Sequence, residues 1–245
     1  RPLQSLTYML DYRLFRLNQR GYHLNNIMLH IICSLCLYSL INLITKDKVV
    51  SLITGILFVI HPLHTEAVTY VSGRADILAA IFFILTVITY IKYISSTKAR
   101  AFYLFISTLT YILSILSKEV VLTLPFIIIL YNFCFLPKDK TKFNKPLIIY
   151  FAITAIYVAV SFFLLKFQQT HLLRYKLPLP LRIVTAIKAV FIYVGLLIFP
   201  HDLHMERISP IINSIYEVSA ILSLVGFLLL LIFIIKTYRH SKLFF

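Results

Sequence analysis

Long apolar segments follow one another along nearly the whole chain, separated by short polar stretches. Leu, Ile, Phe and Val occur all round each segment rather than in one stripe, as expected of helices that contact both lipid and protein. Each segment is predicted to be helical, because lipid cannot satisfy the exposed backbone of a strand. The pattern predicts an all-α polytopic membrane protein of about seven or eight spans, at residues 24–45, 49–61, 75–94, 101–117, 120–136, 146–166, 183–200 and 215–236.

Two of these segments do not fit a simple crossing. The segment at 49–61 has 13 residues, or about 20 Å of helix, against about 30 Å of hydrocarbon. It can cross only with help from the helix that follows it, or where its end meets a polar cavity. The segment at 183–200 is predicted either to cross or to lie along the outer interface. The interface is favoured because Arg182, Thr185 and Lys188 give it a partly polar start.

The composition supports one membrane domain over residues 1–245. Only 13% of the residues are charged and 60% are hydrophobic, whereas a soluble domain carries about 25% charged residues. The net charge of +15 would suggest nucleic acid in a soluble protein. Here the basic residues are concentrated between apolar segments, as in proteins anchored to anionic headgroups. Membrane lipid is therefore the predicted partner, and nucleic acid is not.

The basic residues also predict how the chain is oriented in the membrane. Strongly basic connections alternate with connections that hold only Arg74 and Lys118. Because Lys and Arg accumulate in cytoplasmic loops, the strongly basic connections are predicted to be cytoplasmic, which places 1–22, 61–76 and 117–119 on the extracytoplasmic side. The basic residues concerned are Lys46 and Lys48, then Lys92, Lys98 and Arg100, then Lys138, Lys140, Lys142 and Lys145.

This orientation gathers the remaining ionisable residues on one side. An ionisable side chain within lipid costs about 2.5–3.5 kcal/mol, so it normally faces a cavity or a partner. The break at 117–119 is only three residues long, so its charges have almost no loop to occupy. A polar cavity that opens outward is predicted, lined by His61, His64, Glu66, Arg74, Asp76, Lys118 and Glu119.

The connection at 61–76 is predicted to hold a short helix. Pro62 suits its first turn, Glu66 and Arg74 share one face two turns apart, and Gly73 ends it. Asp76 would then open the next helix, where a carboxylate favours the positive helix end.

Two interpretations of the charges remain open at this point. In one, Arg74 and Lys118 hold an anionic headgroup such as a phosphate, which a guanidinium can grip with two hydrogen bonds. In the other, Arg74 pairs with Asp76 or Glu66 and only fixes helix ends, and the residues by themselves favour this second interpretation.

No metal ion or cofactor is predicted. The spacing of His61 and His64, with Glu66 nearby, permits metal binding, but no further strong ligand accompanies them. Capping and hydrogen bonding at the interface explain them more simply. The chain also has no glycine-rich phosphate loop and no cysteine–histidine cluster.

Five motifs in order resemble the membrane part of the transmembrane and tetratricopeptide-repeat O-mannosyltransferases and their bacterial relatives, within the GT-C glycosyltransferase superfamily. The resemblance covers 1–22, as the end of a first outer loop, and 23–136 most strongly, and it is looser over 137–245. The motifs are Arg-Pro-Leu-x-x-Leu-x-Tyr-x-Leu-Asp-Tyr (1–12), Gly-Tyr-His-Leu-Asn-Asn (21–26) with His30, His-Pro-Leu-His-Thr-Glu-Ala-Val (61–68), Gly-Arg-Ala-Asp-Ile-Leu-Ala-Ala (73–80) and Ser-Lys-Glu (117–119).

The resemblance implies an inverting transfer of a sugar, often mannose, from a polyprenyl- or dolichyl-phosphate carrier to a protein hydroxyl. It implies an extracytoplasmic site in a bacterial inner membrane or an endoplasmic reticulum membrane, with a lipid-linked donor and a protein acceptor as partners. It further implies that Arg1, Arg74 and Lys118 bind phosphate, and that Glu66 and Asp76 serve the sugar or the local scaffold.

The same resemblance implies that parts of the family's architecture are missing. The chain lacks the first membrane helix and most of the first outer loop, so the catalytic base is expected upstream of Arg1, and Asp11 is a poor substitute. The piece is therefore expected to be inactive alone. A transporter or flippase of lipid-linked sugars and a noncatalytic membrane assembly subunit remain as alternatives, and the residues leave the sugar, acceptor, carrier and oligomeric state open.

Overall fold

The computed structural model describes residues 1–136, 145–163, 178–201, 203, 212, 214 and 216–240. The chain forms two compact units, Arg1–Tyr157 and Val158–Phe245. The α-helices of the described part are α1 (Pro2–Phe15), α2 (Gln19–Thr45), α3 (Lys48–Ile60), α4 (Thr65–Thr69), α5 (Arg74–Ser95), α6 (Arg100–Ser117), α7 (Leu124–Phe135), α8 (Lys145–Phe163), α9 (Leu179–Ile198) and α10 (Val218–His240), and 3₁₀ turns occur at Pro62–His64, Val71–Gly73 and Glu119–Thr123.

The prediction of an all-α polytopic membrane protein is confirmed, and each predicted segment contains a helix. Within the described ranges, five helices are long and apolar enough to cross a membrane, and two further apolar helices are shorter. The end of the segment predicted at 146–166, the start of that at 215–236 and the basic residues at 138–142 lie outside the described residues. The five are Gln19–Thr45, Val71–Ser95, Arg100–Ser117, Lys145–Phe163 and Leu179–Ile198, and the shorter ones are Glu119–Phe135 and Val218–Phe233.

The short segment at 49–61 is extended by a second helical stretch, as its length requires for a membrane crossing. Helix α3 is followed, after a bend of 50°, by the helical stretch Pro62–Thr69, and the two together are long and apolar enough for a sixth span or a re-entrant loop. The bend lies at His61, whose extended backbone (φ −66°, ψ 123°) separates the two parts. Pro62 begins the second part, where its missing N–H is not needed.

Helices α2 and α3 form an antiparallel pair held by polar contacts. Ser34 Oγ donates to the Gly55 carbonyl (2.8 Å), and nearer the start of α2 the His30 ring donates to the Val59 carbonyl (3.3 Å). Residues later in α2 therefore meet residues earlier in α3. Such contacts between buried polar groups are how membrane helices avoid unsatisfied atoms in lipid.

Helices α5 and α6 form a second antiparallel pair. Ser114 Oγ donates to the Ala79 carbonyl (2.8 Å), and Thr86 Oγ1 donates to Thr110 Oγ1 (2.9 Å). Helices α2 and α5 begin at the same end, because Asn26 contacts Arg74 there. The connections at 61–73 and at 118 therefore share one end of the unit.

A layer of buried hydroxyl groups joins α5, α6, α7 and the start of α8. Tyr90 Oη donates to Asn132 Oδ1 (2.7 Å), and Tyr150 Oη hydrogen-bonds Ser107 Oγ. Around them pack the apolar residues of the largest core cluster, including the fully buried Ile128. Partnered polar groups inside a membrane bundle add specificity to packing that apolar contacts alone leave loose.

The second unit contains α9 and α10. Its small core consists of Val184, Ile212 and Ala220, with Leu181 and Leu224 packed against it. Helix α9 begins at Leu179, before the predicted start at 183, and its 20 residues are enough for a crossing. Whether α9 crosses or lies along the interface, as the sequence favoured, stays a prediction.

Candidate functional site

Helix α1 packs one polar face onto the turn that precedes α5. Gln4 Nε2 donates to the Ser72 carbonyl (2.8 Å), and Tyr8 Oη donates to the Val71 carbonyl (2.5 Å). Burial raises the pKa of the Tyr8 phenol, so the group keeps its proton and remains a donor. The first polar stretch of the chain is thus fastened to the connection at 61–73, as the predicted orientation requires.

Arg74, the first residue of α5, lies at the centre of this packing with only 1% of its side chain exposed. Its Nε donates to Asn26 Oδ1 (2.7 Å), and its Nη2 donates to the Tyr22 carbonyl (3.1 Å). Its Nη1 lies 2.5 Å from Asp11 Oδ2. The guanidinium carbon lies 4.8 Å from the centre of the Tyr8 ring. Every edge of the guanidinium therefore faces a group of the chain itself.

Asp11 is buried to the same degree as Arg74, with 4% of its side chain exposed. Its Oδ1 accepts a hydrogen bond from Asn25 Nδ2 (2.6 Å), while Oδ2 has the charge of Arg74 as its partner and no directed hydrogen bond. A buried carboxylate is tolerated only when it is paired and hydrogen-bonded. Each charge thus makes the burial of the other possible.

The partners of Arg74 correct the sequence interpretation. The predicted pairs of Arg74 with Asp76 or Glu66 are wrong, because its ion pair is with Asp11. The single short helix predicted up to Gly73 is also wrong in extent. Helix α4 ends at Thr69, and an extended residue and a 3₁₀ turn follow before α5, so Glu66 and Arg74 do not share a helix face.

Two facts explain the early break. Asn26 Nδ2 donates to the carbonyls of Val68 and Tyr70 (3.3 Å each), which therefore serve as acceptors outside the helix ladder. Gly73 packs against the backbone of Ala67 so closely that a Cβ would lie 2.5 Å from the Ala67 carbonyl oxygen. The chain folds back on α4 instead of extending it.

Two ion pairs at the same end are accessible to solvent. Lys118 Nζ pairs with Asp76 Oδ1, and their side chains are 27% and 47% exposed. Arg1 Nη2 lies 3.9 Å from Glu119 Oε2, and these side chains are 38% and 42% exposed. Lys118 is the single residue between α6 and the following 3₁₀ turn. The structure thus brings Arg1, Asp76, Lys118 and Glu119 to exposed or partly exposed positions and places Arg74 beneath them in the packing.

The remaining predicted residues line the bend between α3 and α4. His61 Nδ1 accepts a hydrogen bond from the Leu63 amide (3.3 Å) and caps the turn. The His64 ring lies 4.2 Å from the Phe58 ring and 5.4 Å from the His30 ring. Glu66 is exposed in the first turn of α4. In the part of the chain that the structure describes, no group of three His, Cys, Asp or Glu residues is placed to hold a metal ion.

Sequence reasoning gave no packing role to three residues that build this end of the molecule, and it considered Asp11 only as a poor substitute for the catalytic base. Gln4, Tyr8 and Asp11 form the polar face of α1 that holds the 71–74 turn. Their spacing of four and three residues puts them on one helix face. That spacing was the available signal, since a polar row in a region otherwise rich in Leu and Tyr indicates a buried polar contact.

Comparison with known proteins identifies relatives over part of the chain. Protein O-mannosyl-transferase TMTC3 of Mus musculus is 42% identical over 92 residues, which are 38% of this chain and 10% of that protein. Protein O-mannosyl-transferase TMTC2 of Mus musculus is 32% identical over 176 residues, or 71% and 21% of the two chains. Protein O-mannosyl-transferase F38B6.6 of Caenorhabditis elegans is 36% identical over 95 residues, or 38% and 14%.

The chain spans only 10% to 21% of the length of these relatives. No profile of a known family and no solved structure matches the chain. The relatives nevertheless all carry the same type of name, and the resemblance that the motifs indicated is confirmed. The chain is a homologue of part of the protein O-mannosyl-transferases of the TMTC type.

Proposed function

We propose that this chain contributes the carrier-binding side of a glycosyltransferase site, at which a sugar, mannose by analogy with the relatives' names, passes from a polyprenyl or dolichyl phosphate to a protein hydroxyl. The observation that carries the proposal is the pair of partly exposed cations, Lys118 and Arg1, at the end where α1, the 61–73 connection and the α6–α7 turn meet. The names of the homologues supply the reaction class.

The chemistry needs positive charge at the phosphate. When the bond between the sugar's anomeric carbon and the phosphate oxygen breaks, the acceptor hydroxyl oxygen forms the new bond and gives up its proton to a base, and negative charge collects on the departing lipid phosphate. Fixed cations placed at that position stabilise the transition state more than the ground state. An ammonium has three donors and a guanidinium five, so Lys118 and Arg1 retain donors for a phosphate beside their carboxylate partners.

The carboxylates and histidines take supporting roles in this proposal. Asp76 and Glu119 hold the two cations in place, and Glu66, His61 and His64 lie on the neighbouring bend where a sugar would sit. The catalytic base is assigned to none of the described residues. Asp11 is unsuitable because it is 3% exposed and its charge is paired with Arg74. The proposal requires no divalent metal ion.

We further place this site on the extracytoplasmic face of the membrane. The connections at the opposite end of the first unit carry Lys46, Lys48, Lys92, Lys98 and Arg100, and such clusters accumulate on the cytoplasmic side. The charges at the proposed site include both signs and are few. A lipid-linked donor reaches such a site from the outer leaflet, with its phosphate at headgroup level.

The test is a transfer assay with a matched pair of lysine variants. The protein that contains this chain is reconstituted in nanodiscs with dolichyl phosphate mannose carrying a radiolabel, and the label is counted on a Ser- and Thr-containing acceptor protein. Lys118→Met should lower kcat/KM by about 100-fold, the usual effect of removing one preorganised charge donor. Lys48→Met removes an exposed lysine from the opposite end and should leave transfer unchanged.

A retained rate in Lys118→Met would contradict the phosphate role, and equal losses in both variants would indicate a general effect of charge. One observation favours the transporter alternative, namely the helix break at His61, since transporters bind substrates at broken helices in matched halves. Among the described residues one bent pair occurs. Movement of the lipid-linked sugar across liposomes without any acceptor would favour that alternative.

A further inference from the structure

We propose that Arg74 is a positioning residue: through Asp11 it locks α1 onto the 71–74 turn and so holds Arg1 beside the Lys118–Glu119 turn. This inference rests on the proposed function, and it gives Arg74 a different role from the phosphate ligand that the resemblance implies. It assigns phosphate contact to the exposed cations and alignment to the buried one.

Arg74 has no nitrogen atom directed toward a position that a ligand could occupy. Its three nitrogen atoms are directed to Asn26 (2.7 Å), the Tyr22 carbonyl (3.1 Å) and Asp11 (2.5 Å), and Tyr8 covers one face of the guanidinium at 4.8 Å. The side chain is 1% exposed. A phosphate could reach it only after α1 had left its place, and that would leave the Asp11 charge buried without a partner.

Two hydrogen bonds and the ion pair attach α1 to the 71–74 turn along its length, and α1 also contacts α2 and α6. Gln4 and Tyr8 donate to the carbonyls of Ser72 and Val71, and Asp11 meets Arg74 two residues further on. Of these contacts, the ion pair is the one in which loss of either partner leaves a buried charge. It is therefore the contact on which the docking of α1 depends most.

Helix α1 carries a residue of the proposed site at its N-terminal end. Arg1 is the N-terminal cap of α1, and its guanidinium lies 3.9 Å from Glu119. Arg1 and Asp11 are ten residues apart, or about 15 Å along the helix. Because α1 is a continuous helix, fixing it at Asp11 also fixes the position of Arg1. If α1 detached, Arg1 would lose its alignment with Lys118 although neither residue had changed.

The experiment is a double-mutant cycle of Asp11→Asn, Arg74→Gln and the combined variant in nanodiscs, assayed for mannose transfer. Each single change leaves one buried charge uncompensated, and each should lower kcat/KM by about 100-fold or more as undocked molecules dominate. The combined variant contains no buried charge and retains amide donors and acceptors. It should recover to within about tenfold of the wild type.

A second measurement reports the position of α1 independently of transfer. Spin labels at Ser5 and Val120, both exposed, are placed in a background in which the native cysteines Cys33, Cys36 and Cys134 are replaced by Ala. The distance distribution between the labels should be narrow in the wild type and in the combined variant. It should be broad in each single variant.

The outcomes separate the two roles of Arg74. Recovery of transfer and of the narrow distance in the combined variant supports the positioning role. If the combined variant regains the narrow distance but transfers no better than Arg74→Gln, Arg74 acts on the ligand and the inference is overturned. It is equally overturned if the single variants leave the distance unchanged. If the wild type transfers no sugar, the proposed function fails while the label distances still test the lock.

Discussion

Gly73 offers a sharp test of how the 61–73 connection is packed. A Cβ at this position would lie 2.5 Å from the Ala67 carbonyl oxygen and 2.7 Å from the Ala67 Cα. Both are backbone atoms, so no side-chain rotation relieves the contact, and the chain must move by about 1 Å to restore normal separation. Gly73 itself has a helical backbone (φ −64°, ψ −15°) that alanine adopts without strain.

The magnitude follows from two opposing terms. Forcing an extra methyl group into a packed site costs about 1–3 kcal/mol, while replacing Gly by Ala reduces the entropy of the unfolded chain and returns about 0.4–1 kcal/mol. We place Gly73→Ala near the upper part of the cost range, because the clash is with backbone, and expect a net loss of about 2 kcal/mol in the free energy of unfolding.

Gly55→Ala is the matched control for this variant. Gly55 is also buried in a helix, but a Cβ there would lie 3.6 Å from its nearest neighbours, the side chains of Ser34 and Tyr38. That is ordinary contact, so Gly55→Ala should raise the free energy of unfolding by about 0.5–1 kcal/mol. The two variants thus each add one methyl group, and they should shift the free energy of unfolding in opposite directions.

Unfolding by SDS in mixed micelles, followed by circular dichroism, measures both variants against the wild type. The loss in Gly73→Ala should be accompanied by weaker docking of α1, because Val71 and Ser72 accept its hydrogen bonds. If Gly73→Ala were as stable as Gly55→Ala, the close approach of residue 73 to Ala67 would be absent from the folded protein. The contact between Gly73 and Ala67 would then not explain the early end of α4.

Two further variants test other parts of the first unit in the same unfolding assay. Arg16 has a backbone conformation (φ 53°, ψ −122°) that favours glycine. Arg16→Gly should therefore stabilise the protein by about 1 kcal/mol. A loss of stability would show that contacts of the exposed Arg16 side chain outweigh the backbone strain. Tyr150→Phe removes the hydroxyl that hydrogen-bonds the buried Ser107 and should lower the free energy of unfolding by about 1–3 kcal/mol. Tyr157→Phe, at a half-buried position, should lower it much less. Equal effects would argue against the buried hydroxyl layer.

The membrane spans and their order were predictable from the sequence because they depend on quantities that act locally. Apolar length and composition alone locate α2, α5 and α6, and the shortness of the segment at 49–61 indicated that the helix after it must assist. The common end of 61–76 and 117–119 followed from alternation of direction along the chain. Each of these inferences needs only the thickness of the membrane and the distribution of lysine and arginine.

The end of α4 could not be predicted in the same way. Nothing in Thr69 or Tyr70 breaks a helix by itself, and Gly73 suggested a break four residues too late. The break depends on Asn26, more than forty residues earlier in the chain, which takes the carbonyls of Val68 and Tyr70 as acceptors. Tertiary contacts of this kind override local preference, and a single sequence does not reveal which amide will reach which carbonyl.

Tertiary contacts also determine which of the two cations in the tight turns, Arg74 or Lys118, is buried. Arg74 and Lys118 look alike in the sequence, each being a lone positive charge between apolar helices, yet the structure buries one and exposes the other. The difference lies in the acceptors nearby. Arg74 has the carboxylate of Asp11, an amide oxygen and a carbonyl around it, and a planar group with several donors can satisfy all of them at once.

Lys118 meets one carboxylate, that of Asp76, and remains partly exposed. An ammonium is strongly hydrated, so its burial among several fixed acceptors would be costlier than for a guanidinium. This difference in hydration explains why the buried cation is an arginine and suits a lysine to the partly exposed position. Arg74→Lys should therefore release α1 from the 71–74 turn, even though it preserves the charge. The distance distribution between spin labels at Ser5 and Val120 should become broad in this variant.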